Sequence, residues 1–202
     1  MRTRNGAARE ARRLEILRSA ASAFRRYGYH GTNLNQIAAI VNMTKGNLYN
    51  YFKSKEEILF FCHDYGMKRL LKMLAGIEKS PYPADVKLRR FILGFVHVMV
   101  DELDGEILAL EVKELSDTRL RQIIAKRNKL DRGMRRIIQN GMKSGVFRAV
   151  DPKLLSFAIW GSMNWIPRWF NPQGGAGSVE ISEVMVDCYL NGMLNDRKSK
   201  KK

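Results

Sequence analysis

Residues 45–51, Lys-Gly-Asn-Leu-Tyr-Asn-Tyr, carry the side chains best arranged for chemistry in this chain, and that chemistry is recognition rather than bond breaking. On a helical wheel Leu48 and Phe52 share one face, while Gly46, Asn47 and Asn50 lie opposite. A carboxamide presents a donor beside an acceptor, the pattern that pairs with an adenine edge. Gly46 has no side chain, so the helix can approach a surface closely. Lys45 stands at the helix start, within reach of a phosphate or a guanine. Tyr49 and Tyr51 flank the face and offer hydroxyls to phosphates. Lys55 precedes a further helix whose N-terminal amides also suit a phosphate. The alternative is a polar face turned only to water.

A second stretch, residues 157–172 (FAIWGSMNWIPRWFNP), holds Trp160, Trp165 and Trp169, all the tryptophan of the chain. It is apolar nearly all round, which predicts burial. Pro167 removes a helical hydrogen bond, so the helix should kink or end there. Asn164 and Arg168 are four apart, on one face of this apolar segment. A buried arginine requires an anion. Glu111, Glu114 or another carboxylate could supply it, and so could a ligand's carboxylate or phosphate.

No catalytic set accompanies these stretches. His30, His63 and His97 are isolated, with no matching nucleophile nearby in sequence. Gln173–Ser178 is glycine-rich but lacks the Lys-Ser/Thr ending of a phosphate-binding loop. Cys62 and Cys188 are far apart, without metal-ligand spacing, and their apolar surroundings predict buried free thiols. Neither an enzyme, a cofactor nor a metal site is expected.

The elements that would position the recognition residues follow from periodicity and caps. Apolar residues at Leu14, Ile16, Leu17, Ala20, Ala21, Phe24 and Tyr27 step by three and four, giving a helix from Glu10 that Gly28 ends, with residues 1–9 unstructured. Asn33 or Thr32 caps a second helix burying Leu34, Ile37, Ala38 and Val41, and Gln36 completes a capping box with Asn33. Asn42 tolerates the left-handed turn that follows. Thr44 caps the third helix, and Ser54 a fourth reaching about Glu78. Two short helices joined by Asn42-Met43-Thr44 make a helix-turn-helix. Beyond Pro81 and Pro83, helices are expected at about 84–103, 105–115, 118–143, 152–166 and 180–194, with Gly145 and Asp151-Pro152 as stop and start signals. The fold class is all-α. An N-terminal three-helix DNA-binding domain over 1–55 is followed by a helical ligand-sensing and dimerisation domain over 56–196 and a basic disordered tail over 197–202.

Charge supports this division. Of the 202 residues, the first 55 hold 11 Lys/Arg against two acids, Glu10 and Glu15, and the last six (RKSKKK) add five positive charges, out of a net +16. A folded basic module attracts a polyanion because neutralising phosphates releases counterions. A polar, basic N-terminus and the lack of any apolar run near 18 residues predict neither a leader nor a membrane span, hence the cytoplasm.

Residues 31–59, GTNLNQIAAIVNMTKGNLYNYFKSKEEIL, resemble the signature of the TetR family of transcriptional repressors. The resemblance rests on Ile37-Ala38, Lys45-Gly46, Leu48-Tyr49, Tyr51-Phe52 and Lys53–Glu56, with Asn42 where that family usually has glycine. It implies DNA contacts from Asn35, Thr44, Lys45, Gly46, Asn47, Tyr49, Tyr51 and Lys55, and a homodimer on a near-palindromic operator, released by a small-molecule inducer. Glu111–Leu115, Ile138–Phe147 and Trp160–Gly174 look similar to the branch of the family that senses acyl-CoA and related thioesters. On that likeness an acyl group would lie among Phe95, Met99, Phe157, Trp160 and Trp169. A hydrophobic drug or other metabolite is the alternative inducer, and a regulator without a ligand the alternative function. The resemblance also implies a dimer through the last two helices, with Val184, Met185, Val186, Tyr189, Leu190 and Met193 at the contact. The tryptophans would then serve the pocket, the core or the dimer.

Overall fold

The computed structural model describes residues 4–102, 112–171 and 173–193. Its helices are α1 (Arg4–Gly31), α2 (Leu34–Ile40), α3 (Lys45–Tyr49), α4 (Lys55–Lys79), α5 (Ala84–His97), α6 (Asp117–Lys143), α7 (Pro152–Trp169) and α8 (Ser178–Met193). A π-helical turn, Val98–Glu102, continues α5, and a 3-10 turn, Val112–Glu114, precedes α6. No sheet forms among the described residues.

The chain punctuates its helices where the side chains dictate. Gly28 takes φ 74°, a conformation open to glycine, and breaks α1 before its last turn. Thr32, almost wholly buried, sets its hydroxyl 2.8 Å from the Gly28 carbonyl and 3.1 Å from that of Ala23, which fixes the break. Asp151 caps α7 through the amides of Lys153 and Leu154, with Pro152 in the first turn. Gly145 ends α6 at φ 72°. Phe147 then folds back over Gly141, where any Cβ would meet the Phe147 ring and the Ala84 methyl.

Two expectations need correction, and a third lies mostly outside the described residues. α1 is helical from Arg4, so most of residues 1–9 extend the helix instead of lying loose. The helix expected over 105–115 falls largely on 103–111, outside the described residues, and its described end is only the 3-10 turn. Cys188 is exposed, whereas Cys62 is fully buried and its thiol pKa is raised by loss of water. Residues 197–202 lie outside the described residues.

Ile16, Leu17, Ala20, Phe24, Ile37, Ala38, Val41, Leu48 and Phe52 close the core of the first three helices, all below 5% exposed. α4 runs from this core into a second one. Leu70 and Leu74 meet Leu88, Phe91, Ile92 and Phe95 of α5 and Leu130, Met134 and Ile137 of α6. α7 and α8 pack outside, on α6 and α5 respectively.

Candidate nucleic-acid interface and sensor cavity

The α2–α3 unit is set by local bonds. The Asn33 side chain accepts from the Gln36 amide at 3.0 Å, and the Asn33 amide donates to Gln36 Oε1 at 2.8 Å, completing the capping box. Asn42 takes φ 52°, and Met43 N–H donates to the Ala38 carbonyl at 2.8 Å. The Thr44 hydroxyl accepts from the Asn47 amide at 3.2 Å. Leu48 and Phe52 are fully buried, so the rotation of α3 is fixed. Gly46, Asn47 and Asn50 are thereby turned to solvent, with Asn35 exposed on α2. A Cβ on Gly46 would meet nothing within 4 Å, so the fold does not require glycine there. Lys45 lies 5.9 Å from the centroid of the half-buried Tyr49 ring.

Several cations of this module hold it together. Arg12 Nη2 donates to the Val41 carbonyl at 3.0 Å, securing the end of α2. Arg9 Nη2 donates to the Asn50 carbonyl at 3.1 Å, securing the end of α3. Arg13 stacks between the rings of Phe52 (4.8 Å) and Phe61 (4.2 Å). Lys53 Nζ donates to the Tyr49 carbonyl at 2.7 Å. Lys55 Nζ donates to the carbonyls of Tyr29 (2.8 Å) and Thr32 (3.2 Å). The α1 arginines act across tens of residues of sequence, so spacing gave no sign of them.

A polar joint ties this module to the start of α6. His30 Nε2 sits 2.9 Å from Glu114. Glu56 accepts from the Ser116 amide at 2.9 Å and pairs with Arg119 at 3.2 Å. The Ser116 amide holds the Glu56 pKa down. Burial, with Glu56 and Glu114 nearby, raises that of Tyr29.

Farther along α4, a cavity of about 360 Å³ is lined by Met67, Phe95, Arg127, Asn128, Leu130, Asp131, Phe157, Trp160 and Asn164. Four residues singled out by sequence therefore meet there: Phe95, Phe157, Trp160 and Asn164. The other three do not line it. Met99 is 1% exposed within the core. Trp169 is 51% exposed, on the outer face of α7. Arg168 is exposed and lies over the Trp165 ring, 5.6 Å from its centroid, so it is not a buried charge. α7 runs on past Pro167 to Trp169. Glu114 is taken by His30, and Glu111 lies outside the described residues.

The cavity's arginine is one that sequence reading passed over. Arg127 has no carboxylate partner among the described residues, and the protein around it lowers its pKa by removing water. Arginine stays charged regardless, and Arg127 is exposed where it borders the cavity, so either water or an anion can meet its donors. Asp131 does not fill that role, since it pairs with Arg135 and accepts from the Ser156 hydroxyl at 2.9 Å. Trp160 meets Phe91 and Phe95 edge-on at centroid distances of 5.7 and 5.4 Å.

The family model for bacterial regulatory proteins of the tetR family matches residues 16–60, and that for the tetracyclin repressor-like C-terminal domain matches residues 82–193. The chain belongs to the TetR family. The HTH-type transcriptional repressor KstR2 of Mycolicibacterium smegmatis is 26% identical over 197 residues, 94% of each chain. The TetR-family regulator PfmR of Thermus thermophilus superposes with TM-score 0.80 at 30% identity, over 87% of this chain and 97% of that one. AibR, in its complex with isovaleryl coenzyme A and operator DNA, superposes with TM-score 0.75 at 27% identity, over 87% and 97%. This TetR-family chain is thus an all-α transcriptional repressor, not an enzyme. Among the described residues no helix is long and apolar enough to cross a membrane.

Proposed function

We propose that the chain is a ligand-gated repressor that binds a near-palindromic operator as a homodimer in the cytoplasm. The observation that carries this reading is the exposed, carboxylate-free face of α3, where Gly46, Asn47 and Asn50 stand out from a helix locked by Leu48 and Phe52. Asn47 and Asn50 read base edges, and Asn35, Thr44, Lys45, Tyr49 and Tyr51 meet backbone or flanking bases. Lys55 bonds two internal carbonyls, which leaves its third N–H for a phosphate. The reader occupies 1–55, the sensor and dimer domain 56–196, and the basic tail 197–202.

Dimerisation is assigned to the outer faces of α7 and α8, where Leu154, Trp165, Trp169 and Val184 are 51–65% exposed. Such an apolar surface favours a protein partner. Val186 and Met193 turn into their own core at 2% exposure, so the contact uses the other side of α8. Two-fold symmetry then presents two α3 helices to successive major grooves.

The inducer enters the cavity beneath Arg127, and a CoA thioester is the class we favour, supported by the AibR likeness. Its acyl group lies against Met67, Phe95, Phe157 and Trp160. α4 contributes Met67 to this cavity, Lys55 to the reader and Glu56 to the joint with the start of α6, so it transmits the change. Release requires that the ligand prefer the form that does not fit DNA.

Competition binding tests the whole reading. The protein is titrated onto promoter DNA beside its own gene with excess random duplex, with and without a panel of acyl-CoA thioesters. Tight binding released by one thioester is the expected result. Tight binding that none releases rejects the CoA class, and binding no tighter than to random duplex rejects an operator at that promoter.

A further inference from the structure

Beside α3 lies an open groove of about 610 Å³, lined by Ala8 and Arg9 of α1 and by Asn47, Asn50 and Tyr51. Asn47 and Asn50 belong to the reading face. The opposite wall is α1, whose helix begins at Arg4 and so holds Ala8 and Arg9 in its early turns. Among the described residues Arg9 is the only charged one lining the groove, and no carboxylate joins it. It is exposed, yet held: Nη2 donates to the Asn50 carbonyl at 3.1 Å, and the guanidinium carbon stands 6.0 Å from the Tyr51 ring centroid.

A guanidinium has five N–H donors in a planar fork. Among the described residues only the Asn50 carbonyl accepts from Arg9, so most of the fork is unused. The two anchors already restrict a long side chain, which lowers the entropy lost when an anion binds. A groove with one fixed cation, two carboxamides and a phenol fits a phosphodiester, which the planar fork engages through two parallel hydrogen bonds.

We propose that Arg9 is a DNA-binding residue that grips a backbone phosphate of the duplex read by α3, coupling the start of α1 to the placement of the reading helix. Because Arg9 also holds Asn50, the phosphate contact and the orientation of α3 reinforce each other. This rests on the reading of α3 as the DNA reader, and the test keeps the two apart.

Arg9→Gln and Asn47→Ala are compared with wild type by fluorescence anisotropy on a promoter fragment and on a random-sequence duplex over a range of salt. Arg9→Gln should make the slope of log affinity against log salt shallower by about 1 per bound reader. It should weaken both duplexes alike, roughly tenfold per reader near ~0.1 M salt. Asn47→Ala should keep the slope and lower the preference for the promoter without abolishing it. An unchanged slope in Arg9→Gln would make Arg9 a clamp on α3 alone and overturn the proposal. Wild-type binding by both variants would overturn the α3 reading with it. Should glutamine loosen the fold, seen as lost helical circular dichroism, Arg9→Lys is the second variant. It keeps the charge, so the slope should hold with only a few-fold loss. A shallower slope in a folded Arg9→Lys protein overturns the charge contact.

Discussion

α3 and α7 both bury one face and expose another, but the exposed faces are opposites. On α3 the exposed side carries Gly46, Asn47 and Asn50, with Lys45 at its start. On α7 it carries Leu154, Trp165 and Trp169, with Gly161 between them. A polar face gains little from burial unless its donors and acceptors meet matching ones, so α3 is built for specificity. A face of tryptophan and leucine gains from almost any dry contact, so α7 is built for strength. One exposed helix therefore suits a wet, charged duplex, and the other a second protein.

The largest expected effect comes from making α7 resemble α3. Trp165→Asp places a charge in the proposed dimer contact. It should weaken dimerisation by at least about 2–4 kcal/mol, about 30-fold or more. Analytical ultracentrifugation reads this as a monomer at concentrations where wild type is dimeric. A stable Trp165→Asp dimer would remove this face from the interface. Next comes the buried side of α3. Leu48→Ala removes a fully buried side chain and should cost about 2–5 kcal/mol of reader stability, measured by denaturant unfolding.

How far this comparison was legible in the sequence differs between the two helices. The α3 face was readable because everything that sets it is local: Thr44, Leu48 and Phe52 lie within nine residues, and Asn42 supplies the turn. The caps at Asn33, Ser54 and Asp151 were legible for the same reason. α7 misled because a helix apolar all round implies burial, and in one chain its outer face has nothing to cover it. Arg168 inherited that error. Arg127 escaped notice because it sits in a helix dense with cations, and only the placement of α6 against α7 brings it to the cavity mouth. The α1 arginines were counted as charge for DNA, yet Arg12 and Arg13 serve Val41, Phe52 and Phe61 far along the chain.

Smaller effects sharpen the polar side of the comparison. Asn47→Ala should cost about 1–3 kcal/mol of specific binding and relax base choice at one position, seen in competition against substituted operators. Gly46→Ala should separate fold from function. With open space around its Cβ, alanine should leave the melting temperature unchanged or raise reader stability by about 0.5–1 kcal/mol. The same methyl should hold α3 away from the base edges and weaken operator binding. A variant more stable and equally tight would show that α3 does not approach the groove closely at that point.

The smallest effect belongs to Glu56, which joins neither face and instead ties the reader to the sensor. Hydrogen bonding from the Ser116 amide, with Arg119 beside it, lowers its pKa in the folded state. The sign follows: the joint contributes its full stability above the carboxylate's unfolded pKa and loses it as pH falls through the lower, folded value. Glu56 is half-buried, with about 30% of its side chain still exposed, so partial screening by water and salt keeps the contribution small. Glu56→Gln should therefore melt slightly below wild type at neutral pH, and the gap should close on acidification. A gap that persists in acid would mean that shape or a neutral hydrogen bond, not the ionised carboxylate, holds α6 to the reader. Because the joint ties α4 to the start of α6, the same variant should also change how strongly the proposed thioester inducer weakens operator binding, while leaving base preference as in wild type.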